Sequence, residues 1–195
     1  MVKLIGLKKK INSAVFISGT GSNLKHLIRA SLIRKSYFKV NLIISNNPKA
    51  KGLNYAKKYK VKKKIINYNN IKNAEKKILF YLKKNKIDLI CLAGFMKILS
   101  KNFIEIFNGK IINIHPSLLP KYKGLNTHER AIKKKESYSG CTVHFVNSKI
   151  DNGKIILQKK VKIFKNDTSK SLAKRILKQE HLLYKKAIKK IYSTF

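Results

Sequence analysis

The chain has 195 residues, 44% of them hydrophobic, and 46 Lys plus Arg against 8 Asp plus Glu give it a formal charge of +38. That length suits one domain with a substantial core, and its apolar residues come in short runs, below the roughly 20 that a membrane-crossing helix needs. Two cysteines, Cys91 and Cys141, are too few for a disulfide framework, and no His or Cys spacing suggests a metal, so the expectation is reduced thiols, no metal and a cytoplasmic location.

The opening "MVKLIGLKKKIN", residues 1–12, reads as an N-terminal extension without a secretory core and cleavage site. "SAVFIS" (13–18) is a strand closing on "GTGSN", and Leu24, Leu27, Ile28 and Ser31/Leu32 then follow helical spacing. "FKVNLIIS" (38–45) is a second strand, followed by the loop "NNPKAKG" and the helix "LNYAKKYK". A short third strand, "KKIINY" (63–68), precedes an amphipathic helix carrying Ile71, Ala74/Glu75, Ile78, Leu79 and Leu82. "DLICLAG" (88–94) and "GKIINIH" (109–115) are the fourth and fifth strands. Strands alternating with helices of this length predict a mostly parallel α/β sheet with helices on both faces. From Tyr138 the pattern changes: "YSGCTVHFVN" and "KIILQKKVKIF" flank the turn signal Asp-Asn-Gly and predict an antiparallel pair. Asp167 or Thr168 caps a long final helix with Leu172, Ile176, Leu177, Leu183, Tyr184, Ala187, Ile188 and Ile191 on one stripe.

Only four of the basic residues are Arg, whereas bidentate readers of bases and phosphates favour the guanidinium fork. The Lys are spread along the chain among many Asn, Ile, Tyr and Phe, as an AT-rich coding bias produces, so no specific nucleic-acid partner is expected. Anionic small substrates benefit in either case.

Four features could carry chemistry. "SGTGSN" (18–23), between a strand and a helix, lets free backbone N–H groups approach a phosphate, although it is neither the dinucleotide fingerprint nor a Walker A loop. Asn113 and His115 share strand parity and sit where a parallel strand exits, the edge at which open α/β sheets bind ligands. Both can donate to a developing oxyanion. Asp151 is adequately explained by its turn, yet it would face His115 if that turn folds over the sheet end. Glu180 falls on the apolar stripe of the last helix, where a carboxylate wants a partner or a ligand hydroxyl. His144 reads as a satisfied structural histidine and His128 as part of a helix's first turn.

Taken together, "ISGTGSNL", "DLICLAGFMKILS", "INIHPSLLPKYKGLNTHERAI", "GCTVHFV", "DNGKIILQ" and "QEH" resemble, in this order, the glycinamide ribonucleotide formyltransferases, folate-dependent enzymes of purine synthesis. The resemblance spans about residue 12 to 190. It implies a single formyltransferase domain over 1–195 and transfer of the formyl group of 10-formyltetrahydrofolate to glycinamide ribonucleotide. It makes Asn113, His115 and Asp151 the catalytic trio, with Asp151 keeping His115 cationic. It places the substrate phosphate on Gly21, Ser22 and Asn23 and its ribose beside Glu180, and it lines the pterin site with Met96, Lys97, Ile98 and Leu99, next to Asn113. Lys72 is the nearest counterpart of the family's basic folate contact. Lys97 stands where the family often has Arg, and Asp-Asn-Gly-Lys replaces the commoner Asp-Gly-Gly or Asp-Thr-Gly, a change expected to stiffen the loop carrying Asp151. Alternatives are a formyl-folate hydrolase or another formyltransferase on the same trio, and, in another class, a basic RNA-binding module without catalysis. The sequence assigns no oligomeric state.

Overall fold

The computed structural model describes residues 9–195. A seven-stranded sheet runs through it in the order β3-β2-β1-β4-β5-β6-β7. The strands are β1 (Ile11–Ile17), β2 (Phe38–Ser45), β3 (Lys62–Ile65), β4 (Leu89–Leu92), β5 (Lys110–His115), β6 (Tyr138–Phe145) and β7 (Ile155–Lys162). β1 to β5 are parallel, and β6 and β7 join antiparallel. The predicted α/β class, with its added antiparallel pair, is therefore the observed one.

Alternation along each strand divides the core into two layers. Val15 and Ile17 turn to one face with Leu89 and Ile112, where α1 (Ser22–Ser31), α2 (Leu53–Lys58) and α6 (Ser169–Ile191) cover them with Leu24, Leu53, Ile176 and Tyr184. Ala14 and Phe16 turn to the other face, against Ile78 and Leu82 of α3 (Ile71–Lys84) and Phe103 of α4 (Lys101–Ile106). α5 (Thr127–Lys133) follows the loop after β5.

Several boundaries differ from the sequence reading. β1 begins at Ile11, so Ile11 and Asn12 belong to the sheet rather than to an extension; residues 1–8 of that extension lie outside the described residues. β3 stops at Ile65: the Ile66 N–H makes a last bond to Ser45 O, and Ile66 and Tyr68 are buried in the second layer. Ile71 and Leu32 are exposed, since each lies at a helix end beyond the face that packs. α4 has no counterpart in the sequence reading: it is six residues long and depends on Ser100, whose Oγ accepts from the Phe103 N–H. At α6 the cap is Thr168, in a reciprocal box with Ser171, while Asp167 instead holds Arg175.

Strand order makes one crevice. β1 leads to β2 and β3 on one side, and the chain then returns to lay β4 on the other, so the loops leaving β1 and β4 diverge. At that switch point the Ser18 N–H donates to Gly94 O.

Candidate active site

A cleft of about 910 Å³ opens over the carboxyl ends of β1, β4 and β5. That is within the usual range for small-molecule sites, about 300–1,000 Å³. Every predicted site residue except Lys72 lines it. Lys72 is exposed on the first turn of α3, whose inward face is Ala74, Glu75, Ile78 and Leu82. The structure therefore does not bring Lys72 to the cleft.

The glycine loop forms one end. Gly21 has φ +70° and caps α1 with its backbone alone, leaving the first N–H groups of the helix unclaimed by a capping side chain. Its shape depends on a distant residue: a Cβ on Gly21 would meet the Cα of Gly52 at 2.7 Å, and the Gly52 N–H donates to Gly19 O. Only two glycines allow the backbones this close. Ser22 Oγ lies 2.6 Å from Nε2 of His181, which stacks on His26 with ring centroids 3.7 Å apart. The Asn23 amide donates to Glu180 Oε2 at 2.7 Å, while Asn23 Oδ1 is buried without a partner among the described residues. Burial pushes the Glu180 carboxyl above its usual range, against the effect of the Asn23 amide.

At the other end the prolines and turns after β5 fold the chain back over the strand's exit. Ser117, Leu119 and Gln158 pin this loop to Thr142 of β6. The loop then presents two backbone groups to the site. The carbonyl of Tyr122 accepts from His115 Nε2 at 2.8 Å, and the Gly124 N–H donates to Asp151 Oδ2 at 2.9 Å. Asp151 has φ +45° at the tip of the β6–β7 turn and places Oδ2 3.2 Å from His115 Nδ1. Gly153 makes this turn possible, because a Cβ there would sit 1.7 Å from Phe145 O. Asn152 of the same turn accepts from Lys123, tying the two loops together.

The structure thus brings Asn113, His115 and Asp151 together, and adds a residue that the sequence reading took as structural. His144 is opposite Asn113 in the β5–β6 register and 2% exposed. Its Nδ1 donates to Phe145 O at 2.8 Å, and its Nε2 lies 3.3 Å from Asn113 Nδ2 and 3.6 Å from Asp151 Oδ1. Asn113 Nδ2 also reaches Asp151 Oδ1 at 3.4 Å. Parity had turned His144 away from Val143 and Phe145; only the β5–β6 register could have shown it facing Asn113.

These contacts set the charges. Burial raises the Asp151 carboxyl, but His144, the Gly124 N–H and His115 outweigh it, and its pKa falls below the usual carboxylate value. For His115 burial wins: its pKa is lowered in spite of the Tyr122 carbonyl and Asp151, which both raise it. Burial thus opposes the imidazolium that the acceptors at the two ring nitrogens, Tyr122 O and Asp151, favour. An anionic oxygen forming nearby favours the cation. Neither thiol offers a nucleophile, since both cysteines are buried and burial pushes Cys141 up to about 12.

The third wall is the segment after β4. Met96 and Ile98 are 64% and 65% exposed beside Lys97, and Leu99 is buried behind them. The wall therefore offers the cleft an apolar surface bearing one positive charge.

Comparisons with known proteins agree with this architecture. The model of the formyl transferase family matches residues 11–188. A phosphoribosylglycinamide formyltransferase of Haemophilus influenzae is 45% identical over 184 residues, covering 93% of this chain and 86% of that protein. The trifunctional purine biosynthetic protein adenosine-3 of Homo sapiens is 42% identical over 189 residues, covering 95% of this chain and 19% of that protein. Among solved structures, the phosphoribosylglycinamide formyltransferase of Brucella melitensis superposes with a TM-score of 0.90 at 39% identity, covering 94% of this chain and 96% of that one. That of Anaplasma phagocytophilum gives 0.89 at 41% identity, covering 95% and 88%. Since the match takes in every strand, the glycine loop and the cleft between them, the chain belongs to the formyl transferase family.

Proposed function

We propose that the chain transfers the formyl group of 10-formyltetrahydrofolate to the amine of 5-phosphoribosylglycinamide, giving formylglycinamide ribonucleotide in purine biosynthesis. The observation that carries this reading is the convergence of Asn113, His115 and Asp151, from β5 and the β6–β7 turn, between the glycine loop and the 96–99 wall. The names of the relatives point the same way.

In this reading the substrate phosphate sits on Gly21, Ser22 and the start of α1, with its ribose hydroxyls toward Glu180 and Asn23. The folate ring lies against Met96, Lys97, Ile98 and Leu99, near Asn113. The amine attacks the formyl carbon, a C–N bond forms, and the carbonyl oxygen becomes an oxyanion. Asn113 donates to it; the long contacts of its amide to His144 and Asp151 are exchanged at small loss. His115 Nε2, on exchanging the Tyr122 carbonyl for the reacting atoms, accepts the proton released by the amine, and the imidazolium is held by Asp151 at Nδ1. It returns that proton to the folate nitrogen as the bond from carbon to that nitrogen breaks. In the free site His144 and the Tyr122 carbonyl fix Asn113 and His115 in place. A reducing compartment such as the cytoplasm fits the two free thiols.

The test is formyl transfer by the purified protein supplied with both substrates, beside an Asp151→Asn variant. Turnover should require the ribonucleotide and fall about 10²–10⁴-fold in the variant. Because Asp151 raises the His115 pKa, the acid limb of kcat/KM should also move to lower pH in the variant. Folate consumption without ribonucleotide would make the chain a hydrolase.

A further inference from the structure

Glu75 is the one acid of α3, and it faces inward, 5% exposed, among Ala74, Ile78 and Leu82. Among the described residues no cation lies within ion-pair distance of it. Both of its oxygens are spent on one distant residue: Oε1 accepts from the Ser100 N–H at 2.7 Å and Oε2 from the Ser100 hydroxyl at 2.5 Å. A carboxylate buried without a countercharge is expensive, and an apolar residue would fill this position of the helix at less cost.

Ser100 ends the wall that lines the cleft. The other end of that wall is fastened to β1 and β2: the Met96 N–H donates to Ser18 Oγ at 2.7 Å, and Ser18 Oγ donates to Asn46 Oδ1. Between the two anchors Phe95 packs edge-on against Phe16 and Tyr68, and Leu99 is buried. Among the described residues the side chains of Met96, Lys97 and Ile98 make no hydrogen bond or ion pair, and they stand exposed in the cleft. The distal anchor is thus a single serine held at both its N–H and its hydroxyl by one carboxylate.

We propose that Glu75 is a positioning residue: acting through Ser100, it fixes how Met96, Lys97 and Ile98 project into the cleft and so sets affinity for the ring system bound there. That this ring system is the formyl-folate rests on the reading above; the anchoring itself does not.

The experiment compares Glu75→Leu, which removes both acceptors and keeps the volume, with Glu75→Gln, which keeps an acceptor for the Ser100 N–H and can donate to its hydroxyl. Kinetic constants for both substrates and amide hydrogen exchange over residues 96–100 are measured on each. Glu75→Leu should raise KM for 10-formyltetrahydrofolate about tenfold, leave kcat and the ribonucleotide KM within about twofold, and speed exchange at 96–100 about tenfold. Glu75→Gln should stay close to wild type in both readouts. Unchanged exchange at 96–100 in folded Glu75→Leu, or a loss of kcat with both KM values unchanged, overturns the proposal. If Glu75→Leu does not fold, Ser100→Ala and Ser100→Thr decide: the alanine should reproduce the split and the threonine restore it, and equal behaviour of the two overturns the proposal. Should wild type fail to transfer formyl groups, the functional reading fails, and the exchange measurement still decides the anchoring.

Discussion

Each residue of the candidate trio is governed by neighbours that the chain supplies from elsewhere. His115 is held at both nitrogens, and which of its states prevails is a contest between burial and two acceptors. Glu180 shows the same contest with the opposite charge, because burial raises its pKa while the Asn23 amide holds it down. A group whose folded pKa is raised in this way weakens the fold above that value and ceases to do so once protonated. Glu180→Gln should therefore raise the thermal midpoint at pH 8, by about 2–4 °C per kcal/mol gained, and the gain should vanish toward pH 4. The new amide can also donate to the unpartnered Asn23 Oδ1. The same change removes a charged acceptor for the ribose, so the ribonucleotide KM should rise by about ten- to a hundredfold. Melting curves at the two pH values and initial rates check both halves. The sequence singled out Glu180 as a carboxylate on an apolar stripe, but Asn23, 157 residues away, became its partner only on folding.

Among the elements, the loop leaving β1 is the clearest case of shape imposed from outside. Its glycines are visible in the sequence, whereas Gly52, in an ordinary-looking loop before α2, is the residue it rests on. Gly52→Ala would press its methyl on Ile17 and Gly21, with contacts of 2.7 and 2.9 Å that must open. The expected effects are a loss of about 1–3 kcal/mol in stability and a higher ribonucleotide KM with a smaller change in kcat. Denaturant titration and steady-state rates test this. Where α1 meets α6, His26 and His181 stack with Lys25, Arg29 and Lys185 around them. Burial, His26 and Lys25 lower His181 to about 4. Both rings are neutral when folded, so the unfolded chain takes up protons first: stability is complete above about 6.5 and falls as the pH drops toward 4. In His181→Gln that fall should be shallower, as denaturation midpoints at pH 7 and 5 would show. Helical periodicity revealed α1, α3 and α6 because each buries one continuous stripe. It passed over α4, which buries Phe103 and is nucleated by a cap rather than by a face.

At the scale of the whole molecule, Tyr184 joins the long helix to the sheet. Its hydroxyl reaches the carbonyls of Leu92 and Ile112, on adjacent strands beneath the cleft. Tyr184→Phe leaves the ring buried and strands these contacts, so stability should fall by about 1–3 kcal/mol, read as a lower denaturant midpoint with unchanged slope. The charge of +38 surrounds a cleft whose proposed ligands are both anionic, and it attracts them over longer range than any single contact.

By itself the sequence determined the order of the strands and of every helix but α4, the parallel-then-antiparallel plan, the glycine loop, and the side chains most suited to chemistry, because these follow from periodicity, turn residues and strand parity over short stretches. The tertiary structure alone decided which of those side chains meet. It brought Asp151 over His115 through a left-handed turn, set His144 against Asn113 through the β5–β6 register, and left Lys72 outside the cleft. It also turned the Tyr122 carbonyl and the Gly124 N–H into the groups that hold the trio. Backbone groups are the same in every residue, so where they point depends on the path of the chain, and a contact across dozens of residues has no period to read.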